Sequence, residues 1–110
     1  YLSSPTGNEL LDYRKHLVWY NRISETISYS IPDNVVRISQ YAMTNNNYLQ
    51  VLYIPASVTY IMANGIGSCN NLQSIVFISS TPPGMYGNAS INLTNVNIYV
   101  IIILSTYGGL

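Results

Sequence analysis

One stretch of this 110-residue chain recurs after 23 residues, and that period restricts the possible folds more than any other feature. Residues 31–53 align with residues 54–76, and seven of the aligned pairs are identical. Most identities fall on apolar positions, for example Val35 and Val58. A unit this short cannot bury its apolar side chains by itself, so we expect successive units to stack into a solenoid.

Each repeat contains a short segment with the alternation of a β-strand. Leu52 with Ile54, and Ile75 with Phe77, are two residues apart, so each pair points to one side of its strand. We expect that side to face the core. Tyr29 stands one repeat before Leu52, and we expect it to be buried as well.

A second set of apolar residues predicts an opposite wall of the solenoid. Its members are Val35, Ile38, Val58 and Ile61. Small residues follow at Ala42 and Gly65, which suits close packing of neighbouring coils. Asparagine-rich runs at residues 45–47 and 70–71 then close each coil, because asparagine tolerates positive φ.

The order of these residues also matches a known repeat. Residues 49–55, 57–58 and 69–72 follow the pattern L-x-x-I-x-I-P-x-S-V, with a cysteine near the end of the unit. On these residues the chain resembles the BspA-like leucine-rich repeats of bacterial surface antigens, although Met43 and Ile66 stand where that family has phenylalanine. The resemblance implies a β-rich, right-handed leucine-rich-repeat solenoid with a short parallel sheet, little regular helix and a C-terminal cap.

The segments on either side of the repeats are expected to close the stack. Residues 1–25 lie outside the repeat and predict a degenerate repeat or an N-terminal cap, while residues 26–78 carry the repeats. Residues 79–110 predict a C-terminal cap with a terminal strand. Its apolar run at residues 98–104 is typical of a strand that is buried on both faces. Because the sequence starts at Tyr1, we expect a fragment or a processed chain.

Charge is rare and is confined to one part of the chain. Only 7% of the residues are charged, against about 25% in an ordinary domain. Every charged side chain lies between Glu9 and Arg37, and residues 38–110 contain none. This distribution argues against binding of nucleic acid or of an anionic membrane, which need clustered Lys and Arg. The low charge is explained either by a surface covered in an assembly or by composition bias, and both remain open.

Few residues could perform catalysis or bind a metal. The chain has one cysteine and one histidine, which excludes a disulfide framework and makes zinc or triad chemistry improbable. His16 follows Asp12 by four residues, so on a helix the two side chains would touch, as a base and its orienting carboxylate or as a plain surface pair. Cys69 is expected to be a small buried apolar residue. We therefore predict no enzyme, no metal and no cofactor.

The outward face of the repeat strands is the predicted ligand surface. Its residues are Ser28, Ser30, Val51, Tyr53, Ser74 and Val76. The repeat aligns Arg37 with Tyr60 on the opposite outer wall. The longest apolar run is seven residues, too short for a membrane span of about 20.

Two functions are compatible with these observations. The family resemblance implies an extracellular or cell-surface bacterial module that binds a protein or glycan partner in adhesion. The alternative is a structural subunit of a fibre, filament or virion-like assembly. The uncharged stretch favours it, because surfaces without net charge tend to self-associate.

Overall fold

The computed structural model describes residues 2–79, 84–85 and 96–101, and this part of the chain contains β-strands and no helix. The strands are β1 (Leu2–Ser3), β2 (Glu9–Asp12), β3 (His16–Tyr20), β4 (Ser28–Ser30), β5 (Arg37–Ile38), β6 (Val51–Pro55), β7 (Tyr60–Ile61), β8 (Ser74–Ile78), β9 (Gly84–Met85) and β10 (Asn97–Val100). None of the described segments is a helix of the length and hydropathy needed to cross a membrane.

The strands form two sheets, and from β4 onward the chain visits them alternately. The front sheet has the order β10-β8-β6-β4, and all its pairs are parallel. The back sheet has the order β1-β2-β3-β5-β7-β9, and it is parallel from β3 to β9. Each coil therefore adds one strand to each sheet, which is the architecture of a β-solenoid and confirms the predicted stacked, β-rich fold.

The 23-residue period of the sequence is the register of the front sheet. Ser28 pairs with Val51, Val51 with Ser74, and Ser74 with Asn97, each 23 residues further on. The last of these steps continues the period beyond the residues in which the sequence repeat is visible. Equivalent positions of successive coils are therefore direct neighbours across the sheet.

The core lies between the sheets and consists of the predicted inward residues. Leu52, Ile54, Ile75 and Phe77 of the front sheet are buried, and so is Tyr29. On the other wall the prediction is also confirmed, since Val35, Ile38, Val58 and Ile61 are buried. Burying one such aliphatic side chain contributes about 1.5–3 kcal/mol, so these stacked rows are the main source of stability.

The corners of the coils are held by backbone hydrogen bonds between successive turns. The N–H groups of Tyr41 and Asn45 donate to the carbonyls of Asn64 and Gly67, at 3.0 and 3.1 Å. Gly65 fits the expected close packing of neighbouring coils, because a Cβ there would lie 3.2 Å from Ile38 Cγ2 of the preceding coil, and 3.0 Å from Ile61 Cγ2 and the Met62 carbonyl oxygen of its own coil.

Positive φ angles recur at equivalent positions of the two repeats. Tyr41 and Asn64 form one such pair, and Asn45 and Ser68 form the other. The expectation of positive φ in the asparagine runs is therefore right for Asn45. It is wrong for residues 70–71, because the corner fixes the conformation at the preceding Ser68 position whatever residue stands there.

The N-terminal segment forms an antiparallel hairpin instead of a coil. Strands β1, β2 and β3 pair antiparallel, with an irregularity between Leu10 and Leu11. Strand β3 then joins β5 in parallel, and His16 pairs with Arg37. This pairing extends the back sheet by the whole hairpin.

The C-terminal strand is present, but it is not buried on both faces as expected. Ile98 is 57% exposed and Val100 is 47% exposed. Strand β10 pairs with β8 on one side only, so it is one of the two edges of the front sheet in the described structure, and β4 is the other. The rest of the predicted terminal run, residues 102–104, and the segments 80–83 and 86–95 lie outside the described residues.

Candidate functional site

The predicted ligand surface is one continuous face of the front sheet. Its six residues occupy two rows in register, and β10 extends both rows. The first row is Ser28, Val51, Ser74 and Asn97, and the second is Ser30, Tyr53, Val76 and Tyr99. We call these two rows the front face.

Exposure differs among the residues of the front face. Ser28 and Ser30 are exposed, and Val51, Tyr53 and Ser74 are half-buried. Val76 is only 7% exposed although it lies outside the core cluster. Tyr53 and Tyr99 stand on either side of it in the row, so the accessible surface there consists of tyrosine more than of valine.

The front face is uncharged and carries hydroxyl, amide and aromatic groups. It presents serine hydroxyls, the side-chain amide of Asn97 and two tyrosine rings, and it has no carboxylate, amine or imidazole. Hydroxyls both donate and accept hydrogen bonds, and tyrosine supplies a large contact area with a polar tip. Neighbouring strands are about 4.8 Å apart, so the two tyrosines of the second row, which lie two strands apart, are separated by about 10 Å.

A second row of polar side chains lies on the outer face of the back sheet. His16 pairs with Arg37, and Arg37 pairs with Tyr60. The Arg37 guanidinium carbon lies 5.2 Å from the centroid of the Tyr60 ring, in a cation–π contact. The repeat alignment of Arg37 with Tyr60 is therefore correct, and His16 joins the row through the hairpin.

Asp12 and His16 are close, but no helix brings them together. They flank the turn between β2 and β3, where His16 Nδ1 lies 3.9 Å from Asp12 Oδ2. The same carboxylate accepts hydrogen bonds from the Arg14 guanidinium at 2.8 Å and from the His16 backbone N–H at 3.1 Å. The two side chains are close because the chain turns between β2 and β3, where Lys15 has a φ of 65°.

The environment of His16 disfavours its protonated form. Burial lowers the pKa of the imidazole, and the positive charges of Arg14 and Arg37 lower it further, while Asp12 acts in the opposite direction. The net direction is a lowered pKa, so His16 is neutral at pH 7. Asp12 itself has a lowered pKa, because the hydrogen bonds from Arg14 and His16 outweigh its burial.

The N-terminal hairpin carries a buried carboxylate on the side that faces the first coil. Glu9 is buried, and it accepts hydrogen bonds from the Tyr29 hydroxyl and from the Thr6 backbone N–H, the latter at 2.8 Å. Burial alone would raise the pKa of Glu9, but the bonds from Tyr29 and Thr6 outweigh it and lower the pKa. The Tyr20 ring packs against Tyr29 with a centroid distance of 4.4 Å. This polar cluster joins the hairpin to the first coil.

Cys69 is buried, as expected from the sequence. Its thiol donates to the Met43 carbonyl oxygen at 3.0 Å, and burial raises its pKa. A thiol with a raised pKa is a poor nucleophile, because the thiolate is the reactive form. In the described ranges no three His, Cys, Asp or Glu side chains are close enough together to hold a metal ion.

Sequence reasoning missed how the hairpin contributes to both polar clusters. His16 is 21 residues before Arg37, not 23, so the repeat frame does not align the two. Glu9 gave a weak signal, because it shares an alternating segment with the apolar Leu11, and both turn out to be buried.

The architecture identifies the class of protein as a β-solenoid of stacked coils with an antiparallel hairpin at its N-terminal end. Comparison of the chain with protein-family models, with curated proteins and with solved structures found no match.

Proposed function

We propose that this chain is a non-catalytic, surface-exposed repeat module that binds a protein or glycan partner through its front face. The observation that carries the proposal is the pair of rows in register, which place Tyr53 and Tyr99 beside serine hydroxyls on one uncharged surface. The paired parallel strands fix the backbone positions of these groups, so a partner that binds does not have to order the backbone of the site.

The composition of the front face favours a neutral partner. Tyrosine is enriched at protein interfaces, since it offers large area and a hydrogen bond at a low entropic cost. With no charge on the face, attraction must come from apolar contact and from neutral hydrogen bonds. The proposed binding is therefore insensitive to salt, in contrast to binding of nucleic acid.

The proposed context is a BspA-like leucine-rich repeat of an extracellular or cell-surface bacterial protein with a role in adhesion. Its support is the resemblance of the repeat sequence to that family, together with the seven identical pairs of the 23-residue unit. We further propose that the module has neither enzymatic activity nor a cofactor, because the front face has no group that titrates near neutral pH.

The front face can be tested with one substitution and one matched control. The chain is screened against immobilised oligosaccharides and extracellular proteins, and the affinity for any binder is measured by titration. We expect Tyr53→Ala to weaken binding about tenfold or more, as for a central aromatic contact. Tyr13→Ala removes an exposed tyrosine from the hairpin turn and should leave the affinity unchanged.

Two results would contradict the proposal. One is a binder whose affinity is the same for Tyr53→Ala and for the unmodified chain. The other is an equal loss in the two tyrosine variants, which would assign binding to another surface. Unfolding midpoints of both variants show whether the fold is intact.

A second candidate function is that of a structural subunit, and the exposed edge of the front sheet favours it. Ile98 and Val100 continue the inward rows of Ile75 and Phe77, which are buried in the preceding coil. These apolar side chains are half exposed on β10, and the backbone of an edge strand offers unpaired hydrogen-bonding groups. A second copy that pairs with β10 would cover both.

Light scattering across protein concentration and salt separates the two functions. A subunit of an assembly would grow in mass with concentration, with little effect of salt because the contacts are apolar. Val100→Lys should abolish the growth, and Ser28→Lys, at the opposite edge of the same sheet, should not. A monomer at every concentration would rule out the structural function.

A further inference from the structure

Arg37 is a cation that the described structure leaves without an anionic partner. The contact of its guanidinium is with the Tyr60 ring, which holds the side chain against the outer face of the back sheet. Stacking on an aromatic ring leaves the N–H groups of the guanidinium fork at its edge available for hydrogen bonds. A guanidinium placed in this way is suited to bind two oxygens of one anion.

The other cations near this row have their partners or lie in solvent. Arg14 is paired with Asp12 by two side-chain hydrogen bonds, at 2.8 and 3.2 Å. Arg22 donates to the Tyr41 carbonyl oxygen and to the Thr44 hydroxyl. Lys15 is exposed in the hairpin turn. Arg37 thus differs from the other two arginines, whose guanidinium groups are bound within the chain.

The carboxylates of the hairpin do not compensate Arg37. Asp12 is engaged by Arg14 and by two backbone N–H groups, and Glu9 is turned to the interior, where it binds Tyr29 and Thr6. The outer face of the back sheet around His16 therefore carries an excess of positive charge.

We propose that His16 and Arg37 form a binding site for an oxyanion on the outer face of the back sheet. The two residues are direct neighbours across β3 and β5. In the bound state the Arg37 fork donates to two oxygens of the anion, and the imidazole of His16 donates from its Nε2, since Nδ1 faces Asp12. The site is separate from the front face and does not depend on the function proposed for it.

Protonation of His16 and binding of the anion are thermodynamically linked. The groups that face the imidazole are Asp12 of β2, Arg14 of the turn and Arg37 of β5. An anion placed between His16 and Arg37 screens the repulsion from Arg37 and favours the imidazolium. Binding must therefore raise the pKa of His16, and affinity must increase as the pH falls through that pKa.

The single histidine of the chain makes this linkage directly measurable. The ring-proton resonance of His16 is followed by NMR across pH in acetate, inorganic phosphate and sulfate, with chloride at matched ionic strength as the reference. We expect the pKa of His16 to be higher in an oxyanion than in chloride. A response to acetate points to a carboxylate as the bound group, and one to phosphate or sulfate alone points to a tetrahedral anion.

Three variants distinguish a built site from general charge attraction. Arg37→Gln should weaken binding about tenfold, which is the loss expected for one charge-assisted contact. Arg37→Lys keeps the charge without the fork and should give an intermediate affinity. Lys15→Gln removes one exposed charge next to His16 in sequence and should change the affinity little.

Either of two results would overturn the site. The first is a His16 titration that is the same in chloride and in all three oxyanions. The second is an equal loss of binding in Lys15→Gln and Arg37→Gln, which would mean that only net charge matters. The His16 resonance also reports whether each variant keeps the native hairpin, so a misfolded variant is recognised from the same spectra.

Discussion

The two ends of this solenoid are closed in different ways. At the N-terminal end an antiparallel hairpin covers the first coil, and it brings a buried carboxylate, Glu9, to the hydroxyl of Tyr29. At the other end of the front sheet, β10 continues the inward rows with half-exposed apolar side chains and no charge. Among the described residues, the stack of coils thus ends once in a polar, specific contact and once in an apolar edge.

The difference shows what is needed to finish a repeat fold. An inner coil is covered on both sides by copies of itself, so apolar residues at the repeat positions are sufficient. An end has only one such neighbour, and its exposed core must be covered by something of another shape. The hairpin does this with apolar side chains and with the hydrogen bond between Tyr29 and Glu9.

The largest expected loss of stability is for a substitution in the middle of an inward row of the front sheet. Ile75 is 3% exposed, and Ile75→Ala should lower the free energy of unfolding by about 2–5 kcal/mol, through lost burial and a cavity. Urea unfolding followed by tyrosine fluorescence measures this loss. A cost below about 1 kcal/mol would mean that the row is not a packed core.

A smaller effect on stability is expected at the corner that contains Gly65. Gly65→Ala places a Cβ 3.0 Å from the Met62 carbonyl oxygen and from Ile61 Cγ2. The backbone must shift to accept it, and overpacking of this kind costs about 1–3 kcal/mol. An unchanged urea midpoint would show that the corner accepts a Cβ more easily than the structure indicates.

The hairpin contact is expected to contribute a similar or smaller amount. Tyr29→Phe removes the donor to Glu9 and should cost about 1–3 kcal/mol at pH 7. Tyr20→Phe is the matched control, since the buried Tyr20 hydroxyl has no hydrogen-bond partner in the described structure and its loss should be neutral. Equal losses in the two variants would contradict the role of the Glu9 bond.

The same contact predicts a dependence of stability on pH. The pKa of Glu9 is lower in the folded chain than its ordinary value of 4.5, so the stabilisation is complete above that value. It is lost as the pH falls through the lowered pKa, because the unfolded chain then binds the proton more readily. Unfolding midpoints measured from pH 7 downward should fall less steeply in Tyr29→Phe than in the unmodified chain.

The smallest expected loss of stability is for a substitution at the β10 end of the same inward row. Ile98 pairs with Ile75 and is 57% exposed, so Ile98→Ala should change the free energy of unfolding by about 0.5 kcal/mol or less. A loss as large as that of Ile75→Ala, in a dilute solution of monomers, would show that β10 is covered and that the two ends are alike.

Much of the coil could be predicted from the sequence because it depends on two periods. Side chains alternate along a strand, and the 23-residue repeat places equivalent residues next to each other, so the inward residues such as Leu52 and the front-face rows followed directly. The positive φ positions were harder, because the corner dictates them through the backbone and Ser68 adopts the same conformation as Asn45.

The hairpin could not be predicted in the same way. Its strands pair antiparallel with an irregularity at Leu10 and Leu11, and no repeat relates them to the coils. The partners of His16 and Glu9 outside the hairpin, Arg37 and Tyr29, therefore depend on contacts that are distant in sequence. The resulting clusters include the row of His16, Arg37 and Tyr60, of which the repeat alignment showed only Arg37 and Tyr60.

The sequence by itself determined the solenoid, its register and the residues of the front face, since these follow from periodic apolar positions that any stacked arrangement must bury. Only the tertiary structure decided which residues at each end of the stack are covered by another segment. Burial at an end depends on whether another segment packs there, as the hairpin does over Tyr29 and as no described strand does beyond Ile98. The local sequence does not show whether a segment will pack there, because the same apolar residue type occurs both in an inner coil and at an edge.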